Sequence, residues 1–167
     1  MIGYFFLFSL TGLILFYLQN LLLFPQVHLS LLELLVFYAG LRPSLPLAFA
    51  LALGLGALQD SYAATPFGLH LVASLALVAA ARFSRRRFLP HRVMSQLLAS
   101  LGALAFQEGV LRFILVLTGA RNIFLGNLAG QRLWQILGTA ALAPLMFALF
   151  EQLEKFLGRH GWRTMSA

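Results

Sequence analysis

The sequence predicts an all-α integral membrane protein, folded as a six-helix transmembrane bundle. Hydrophobic residues make up 60% of the 167 residues and charged residues only 10%, whereas soluble domains average about half and about a quarter. The apolar residues also fall into runs that are separated by prolines and basic residues. A water-facing particle of this composition would expose large apolar patches. The composition therefore excludes a soluble enzyme and a nucleic-acid-binding domain.

The first three spans are predicted at residues 2–24, 27–41 and 45–60. Residues 2–24 contain no ionised side chain and lack the basic segment and cleavage site of a signal peptide. The second and third spans are separated by a proline-rich turn at residues 42–46 and are close to the lower limit of about 17 residues for crossing a bilayer. A re-entrant hairpin that is shielded by protein is the alternative for this pair.

The other three spans are predicted at residues 66–81, 93–118 and 133–156. Pro66 suits the first turn of a helix, and Pro144 is expected to kink the last span. Six spans of about 20 residues use about 120 residues, which leaves no room for a separate aqueous domain. The whole chain, residues 1–167, is therefore predicted to be a single transmembrane domain.

Basic residues give the expected orientation of the spans. Cytoplasmic segments of membrane proteins are enriched in Lys and Arg, so the side of the bundle that carries most of them is expected to be cytoplasmic. With alternating spans, nine of the twelve basic residues lie on the side of both termini: Arg42, Arg82, Arg85, Arg86, Arg87, Arg92, Lys155, Arg159 and Arg163. Both termini are therefore predicted to be cytoplasmic. The basic segment at residues 84–87 fits a topological anchor, and binding of anionic membrane lipids is its alternative role.

Five ionisable residues are expected to form a polar layer in the outer half of the bundle: Glu33, Asp60, His70, Glu108 and Arg112. Ionisable residues inside spans are rare and indicate functional sites. Glu108 and Arg112 are four residues apart, which places them on one helix face, and we expect Arg112 to contact Asp60 as well. The layer is predicted to hold helices in register, to contact a partner protein or to bind a substrate.

Small residues recur at every fourth position of the third span, ending at Asp60. Ala48, Ala52 and Gly56 are therefore predicted to be helix-packing positions, because small residues let helix backbones approach closely. The pattern leaves open whether the neighbouring helix belongs to this chain or to a partner.

The sequence carries no pattern of a catalytic, metal or cofactor site. It has no cysteine, and it lacks the phosphate-binding loop, the Gly-x-Ser-x-Gly nucleophile motif and the zinc-protease helix motif. Its His and Glu residues also lack the spacing of metal ligands. We therefore predict a non-enzymatic scaffold without metal or cofactor, whose function depends on helix packing and partner binding.

Three consecutive features occur within residues 31–78. A short second helix ends in a basic turn, a small-residue third helix carries Gly54, Gly56 and Asp60, and the fourth helix opens with the sequence Pro-Phe-Gly-Leu-His at residues 66–70. Together they resemble the rod shape-determining protein MreD family. The chain length, the six spans and the basic loop after the fourth span are similar as well.

This resemblance implies a subunit of the bacterial cell-elongation complex in the cytoplasmic (inner) membrane. Such a subunit would bind MreC and support peptidoglycan synthesis by RodA and its class B penicillin-binding partner, with the MreB filament as an indirect partner. The resemblance also implies a bundle similar to the substrate-binding subunits of energy-coupling-factor transporters. A substrate-binding membrane subunit of a vitamin-type transporter is accordingly the alternative function.

Overall fold

The structure, a computed structural model, describes residues 2–23, 29–42, 44–63, 66–87, 93–117 and 128–159. Every secondary-structure element within these ranges is helical. The α-helices are α1 (Ile2–Tyr17), α2 (Leu31–Leu41), α3 (Leu45–Tyr62), α4 (Leu69–Arg87), α5 (Val93–Leu117) and α6 (Leu128–Arg159), and a π-helical segment, Leu18–Leu23, continues α1.

The helices follow the predicted order but differ in length from several predicted spans. α2 begins at Leu31 and has 11 residues, so it is about 16 Å long at 1.5 Å per residue. α4 begins at Leu69 rather than at Pro66 and continues through Arg87. α6 has 32 residues and contains Pro144 in its interior, so it extends beyond both ends of the predicted span.

α2 is enclosed by the other helices. All its residues except Glu33 and Leu41 are buried, and it packs against each of the other five α-helices. Near its C-terminal end the ring of Phe37 stacks on that of Phe147, with the ring centroids 6.0 Å apart. This enclosure explains why α2 is apolar on every face. Because protein surrounds it, α2 can be much shorter than the bilayer core of about 30 Å.

Polar side chains connect the end of α2 to the last turns of α6. Arg42, the residue after α2, forms an ion pair with Glu154 and donates a hydrogen bond to the hydroxyl of Tyr38. That hydroxyl donates to Oε2 of Glu154 at 3.3 Å, and the Arg42 guanidinium lies 4.9 Å from the centroid of the Tyr38 ring. The charges of Arg42 and Glu154 are therefore neutralised within the chain.

α3 packs against α4 along the face that carries its small residues. Ala48 and Ala52 are fully buried. A Cβ added to Gly56 would lie 2.8 Å from Cα of Leu71 and 3.2 Å from the carbonyl oxygen of His70. Helices of this chain therefore cover all three positions, and the alternative that a partner helix covers this stripe is wrong.

Two described helical segments, Met94–Leu117 and Leu133–Lys155, are long and apolar enough to cross a membrane. Large hydrophobic side chains are also exposed on the outer faces of α1, α5 and α6, among them Phe6, Met94 and Trp134. Soluble monomers rarely expose extensive apolar surface of this kind. Both observations fit a protein whose outer surface contacts lipid.

Gly54 and Gly56 provide a matched test of the contact between α3 and α4. Gly56→Ala places a methyl group against the backbone of α4, so we expect it to lower the free energy of unfolding in detergent by about 1–3 kcal/mol. Gly54 has no atom within 4 Å of an added Cβ, so Gly54→Ala should be neutral or stabilising by up to about 1 kcal/mol through helix propensity. Thermal unfolding of the purified variants measures the difference, and equal melting temperatures would contradict the close approach at Gly56.

Candidate functional site

Asp60, in the last turns of α3, binds the backbone at the start of α4. Its Oδ2 accepts hydrogen bonds from the N–H groups of Gly68 and Leu71, at 2.9 and 3.2 Å, and its Oδ1 accepts one from the N–H group of His70 at 2.8 Å. The first N–H groups of a helix have no partner within that helix, and a negative charge is favoured at a helix N-terminus. Asp60 is only 4% exposed, so these three bonds stabilise a buried carboxylate.

A turn at Gly68 brings the three N–H groups to Asp60. Gly68 has a φ of +99°, a left-handed conformation that residues with a side chain rarely adopt. The N–H group of Leu69 bonds to the carbonyl oxygen of Pro66 at 3.4 Å, which closes the turn before α4 begins. The Pro-Phe-Gly-Leu-His sequence therefore reverses the chain and presents backbone donors to Asp60. His70 takes part in this cap through its backbone N–H group.

Arg112 pairs with Glu108 and does not reach Asp60. Its Nε lies 3.2 Å from Oε1 of Glu108, and its side chain is 55% exposed. The predicted contact between Arg112 and Asp60 is therefore wrong. Asp60 faces α4, which packs against both α3 and α5, so backbone N–H groups of α4 occupy the position that sequence reasoning gave to a guanidinium.

A second group of predicted residues lines a small cavity between α2, α5 and α6. Glu33 and Glu108 lie in its wall together with Ser30, Gln107 and Gln135. The volume of the cavity is about 20 Å³, which is enough for one water molecule. The predicted polar layer is thus divided, because Glu33 and Glu108 share this cavity whereas Asp60 and His70 meet at the start of α4.

Gln107 presents a buried amide to this cavity. The residue is 2% exposed, and neither its Oε1 nor its Nε2 has a hydrogen-bond partner among the described residues. A buried amide without partners is destabilising. One water molecule can donate a hydrogen bond to Oε1 and accept one from Nε2. The cavity is large enough for such a molecule.

Three side chains bind the start of α2, and none of these contacts was predicted from the sequence. The N–H group of Ser30 donates to Oγ1 of Thr139 at 3.1 Å, and Nε2 of Gln135 donates to Oγ of Ser30 at 2.7 Å. The N–H group of Leu32 donates to Oε1 of Gln19 at 3.4 Å. The sequence does contain a signal for two of these contacts. Gln135 and Thr139 are four residues apart on α6, so they share a polar face of that helix.

The arrangement supports three kinds of interaction. Asp60 binds backbone N–H groups within the fold. The cavity at Gln107 has room for one small polar molecule such as water. The exposed Arg112 can bind an acidic or polar group of another molecule. Among the described residues, no three His, Cys, Asp or Glu side chains lie close enough to hold a metal ion. The described side chains of this region form hydrogen bonds and ion pairs.

In comparisons with known proteins, no family model, curated protein or solved structure matches the chain. The resemblance to MreD and the similarity to energy-coupling-factor subunits remain predictions from the sequence.

Asp60 and Arg112 are predicted to differ in their contribution to stability. Asp60→Asn replaces one acceptor oxygen by an N–H₂ group that faces backbone donors, so the free energy of unfolding in detergent should fall by about 1–2 kcal/mol. Arg112→Gln removes an ion pair between two residues one turn apart on the same helix, so it should change the free energy of unfolding by less than about 0.5 kcal/mol. Ser61→Ala, at an exposed neighbouring position, is the control. A larger loss for Arg112→Gln than for Asp60→Asn would contradict this assignment.

Gln107 and Gln135 form a second matched pair. Gln107→Met keeps a similar volume but removes the amide to which a water molecule in the cavity would bond, so we expect a loss of about 1 kcal/mol in the free energy of unfolding. Gln135→Met removes the hydrogen bond to Ser30 and should lower it by a similar amount. Thermal unfolding in detergent tests both. A clear gain of stability in Gln107→Met would mean that no molecule in the cavity bonds to the amide.

Proposed function

We propose that the chain is a non-enzymatic scaffold subunit of the MreD type that crosses the inner membrane several times, with both termini in the cytoplasm. The resemblance of residues 31–78 and the two membrane-length helices support this proposal. Three further elements have lengths in the range of about 17–25 residues for a span. α3 and α4 have 18 and 19 residues, and α1 with its π-helical continuation has 16 and 6 residues in succession.

The observation that carries the proposal is the ion pair of Glu108 with the exposed Arg112 on α5. α5 contains one of the two membrane-length segments, and more than half of the Arg112 side chain is exposed on it. Charged side chains that face lipid are costly, because hydrocarbon does not hydrate them. A protein partner that covers the pair with polar groups removes this cost.

The surface beside this pair is suited to a partner helix. Gly102 and Gly109 lie on α5, and an added Cβ at either position would have no atom within 4 Å. Small residues on an open helix face let another helix approach closely. In the proposed role, the membrane helix of MreC lies against this face and places an acidic or hydrogen-bonding group at Arg112. MreC in turn links the chain to RodA, its penicillin-binding partner and MreB.

The transporter alternative calls for a ligand-sized cavity in the outer polar layer. Pockets for such ligands measure about 300–1,000 Å³, whereas the cavity at Gln107 has a volume of about 20 Å³. Among the described residues of this layer, the cavity leaves too little space for a vitamin, and this favours the scaffold over a vitamin-binding subunit.

Co-purification of MreC tests the proposal in rod-shaped cells that lack their own MreD. Glu108→Gln combined with Arg112→Gln should lose most of the MreC recovered by the tagged wild-type chain and should fail to maintain rod shape. The same changes at Glu151 and Lys155, Glu151→Gln with Lys155→Gln, are the control, since both are exposed, four residues apart and near the other end of the bundle. Both variants should reach the membrane at the wild-type level.

Two outcomes would count against the proposal in different ways. If the wild-type chain recovers no MreC and does not restore rod shape, the scaffold function is wrong. If the wild-type chain does both and the Glu108 and Arg112 variant does so equally well, the function stands and the assignment of the α5 face is wrong.

A further inference from the structure

A larger cavity lies at the opposite end of the bundle from Asp60. It is formed between the first turn of α3 and the last turns of α4, and Leu45, Arg82, Phe83 and Arg85 line it. Its volume is about 680 Å³, which is within the range of about 300–1,000 Å³ that is typical of ligand pockets. This cavity is therefore large enough for a lipid headgroup, unlike the one at Gln107.

Two guanidinium groups lie among the described residues of the cavity wall. Arg82 and Arg85 are three residues apart on α4 and therefore lie on one helix face, and no acidic residue is among the described residues of the wall. Arg85 has no ion pair with a described residue. Arg42, at the same end of the bundle, is neutralised by Glu154. A cavity with two guanidinium groups favours an anion, and their planar donors match the oxygens of a phosphate.

The other described residues of the wall are apolar and exposed. The side chains of Leu45 and Phe83 are both exposed large hydrophobics, and they lie beside the two arginines. Ser84, between the arginines in sequence, is buried, whereas Arg85 is exposed and Arg82 is half-buried at the edge of the cavity. A ligand that is complementary to these residues has a phosphate group for the arginines and a hydrocarbon portion for Leu45 and Phe83.

We infer that this cavity binds the headgroup of an anionic phospholipid. Arg82 and Arg85 hold the phosphate, and Leu45 and Phe83 contact the glycerol and the first part of an acyl chain. Basic pockets between transmembrane helices on the cytoplasmic side bind anionic headgroups in this way. The inference depends on the membrane location in the proposed function, but it does not depend on MreC.

Native mass spectrometry of the full-length chain in mild detergent tests this inference. The wild-type protein should bind phosphatidylglycerol more tightly than phosphatidylcholine with the same acyl chains. Arg82→Gln and Arg85→Gln should each weaken phosphatidylglycerol binding by about tenfold, since each removes a charge-assisted bond to the phosphate. Lys155→Gln, which removes an exposed positive charge from α6 near the same end, should leave binding unchanged.

Arg85→Lys distinguishes lipid binding at a defined site from non-specific electrostatic attraction between the protein and anionic lipids. Lysine keeps the charge but loses the bidentate geometry, so binding should weaken while the chain remains folded. Wild-type affinity in Arg85→Lys and in both Gln variants, or equal affinity for the two lipids, would overturn the inference. Full displacement of the lipid by inorganic phosphate would also overturn it, because it would identify a site for free phosphate.

Discussion

Backbone N–H groups at the start of a helix need acceptors, and this need is greatest where water is scarce. In this bundle, neighbouring helical segments supply the acceptors. Asp60 of α3 binds the start of α4, while Gln19 and Thr139 bind N–H groups at the start of α2. Each of these contacts fixes the axial position of one helix against another. The close approach at Gly56 is part of the same arrangement, because Asp60 reaches the α4 backbone only if α3 and α4 lie side by side.

The sequence was informative where the signal is local. Apolar runs and prolines predicted the number and order of the helices, and four-residue spacing predicted the small face of α3. The partner of Asp60 was not predictable in this way, because a sequence shows which charges are present but not where unpaired backbone donors lie. The start of α4 was misplaced for a related reason, since the left-handed turn at Gly68 delays the helix beyond Pro66. The division of the polar layer depends on how α2, α5 and α6 meet, which no local pattern records.

The charged residues divide into those used within the fold and those presented at its surface. Arg42 and Glu154 neutralise each other, and Asp60 is buried against backbone donors. Arg112 and Arg85, in contrast, are exposed at opposite ends of the bundle. Removing one member of such a contact would leave the other uncompensated, which is strongly destabilising where that group is buried. In the two proposals, the exposed Arg112 and Arg85 are the residues that contact a partner helix and a lipid.

The contact between Ser30 and Thr139 joins positions 109 residues apart in the sequence. A ribosome makes the chain from its N-terminus, so α2 emerges long before the helix that supplies this acceptor. Until α6 is synthesised, the Ser30 N–H group and the ion-pairing site of Arg42 have no partner from that helix. Completion of the fold at α2 is therefore a late event in biosynthesis. In a chain that is arrested before α6, both ends of α2 lack their contacts with α6. Exposed polar groups at these two ends are a feature by which a quality-control system can recognise the incomplete chain.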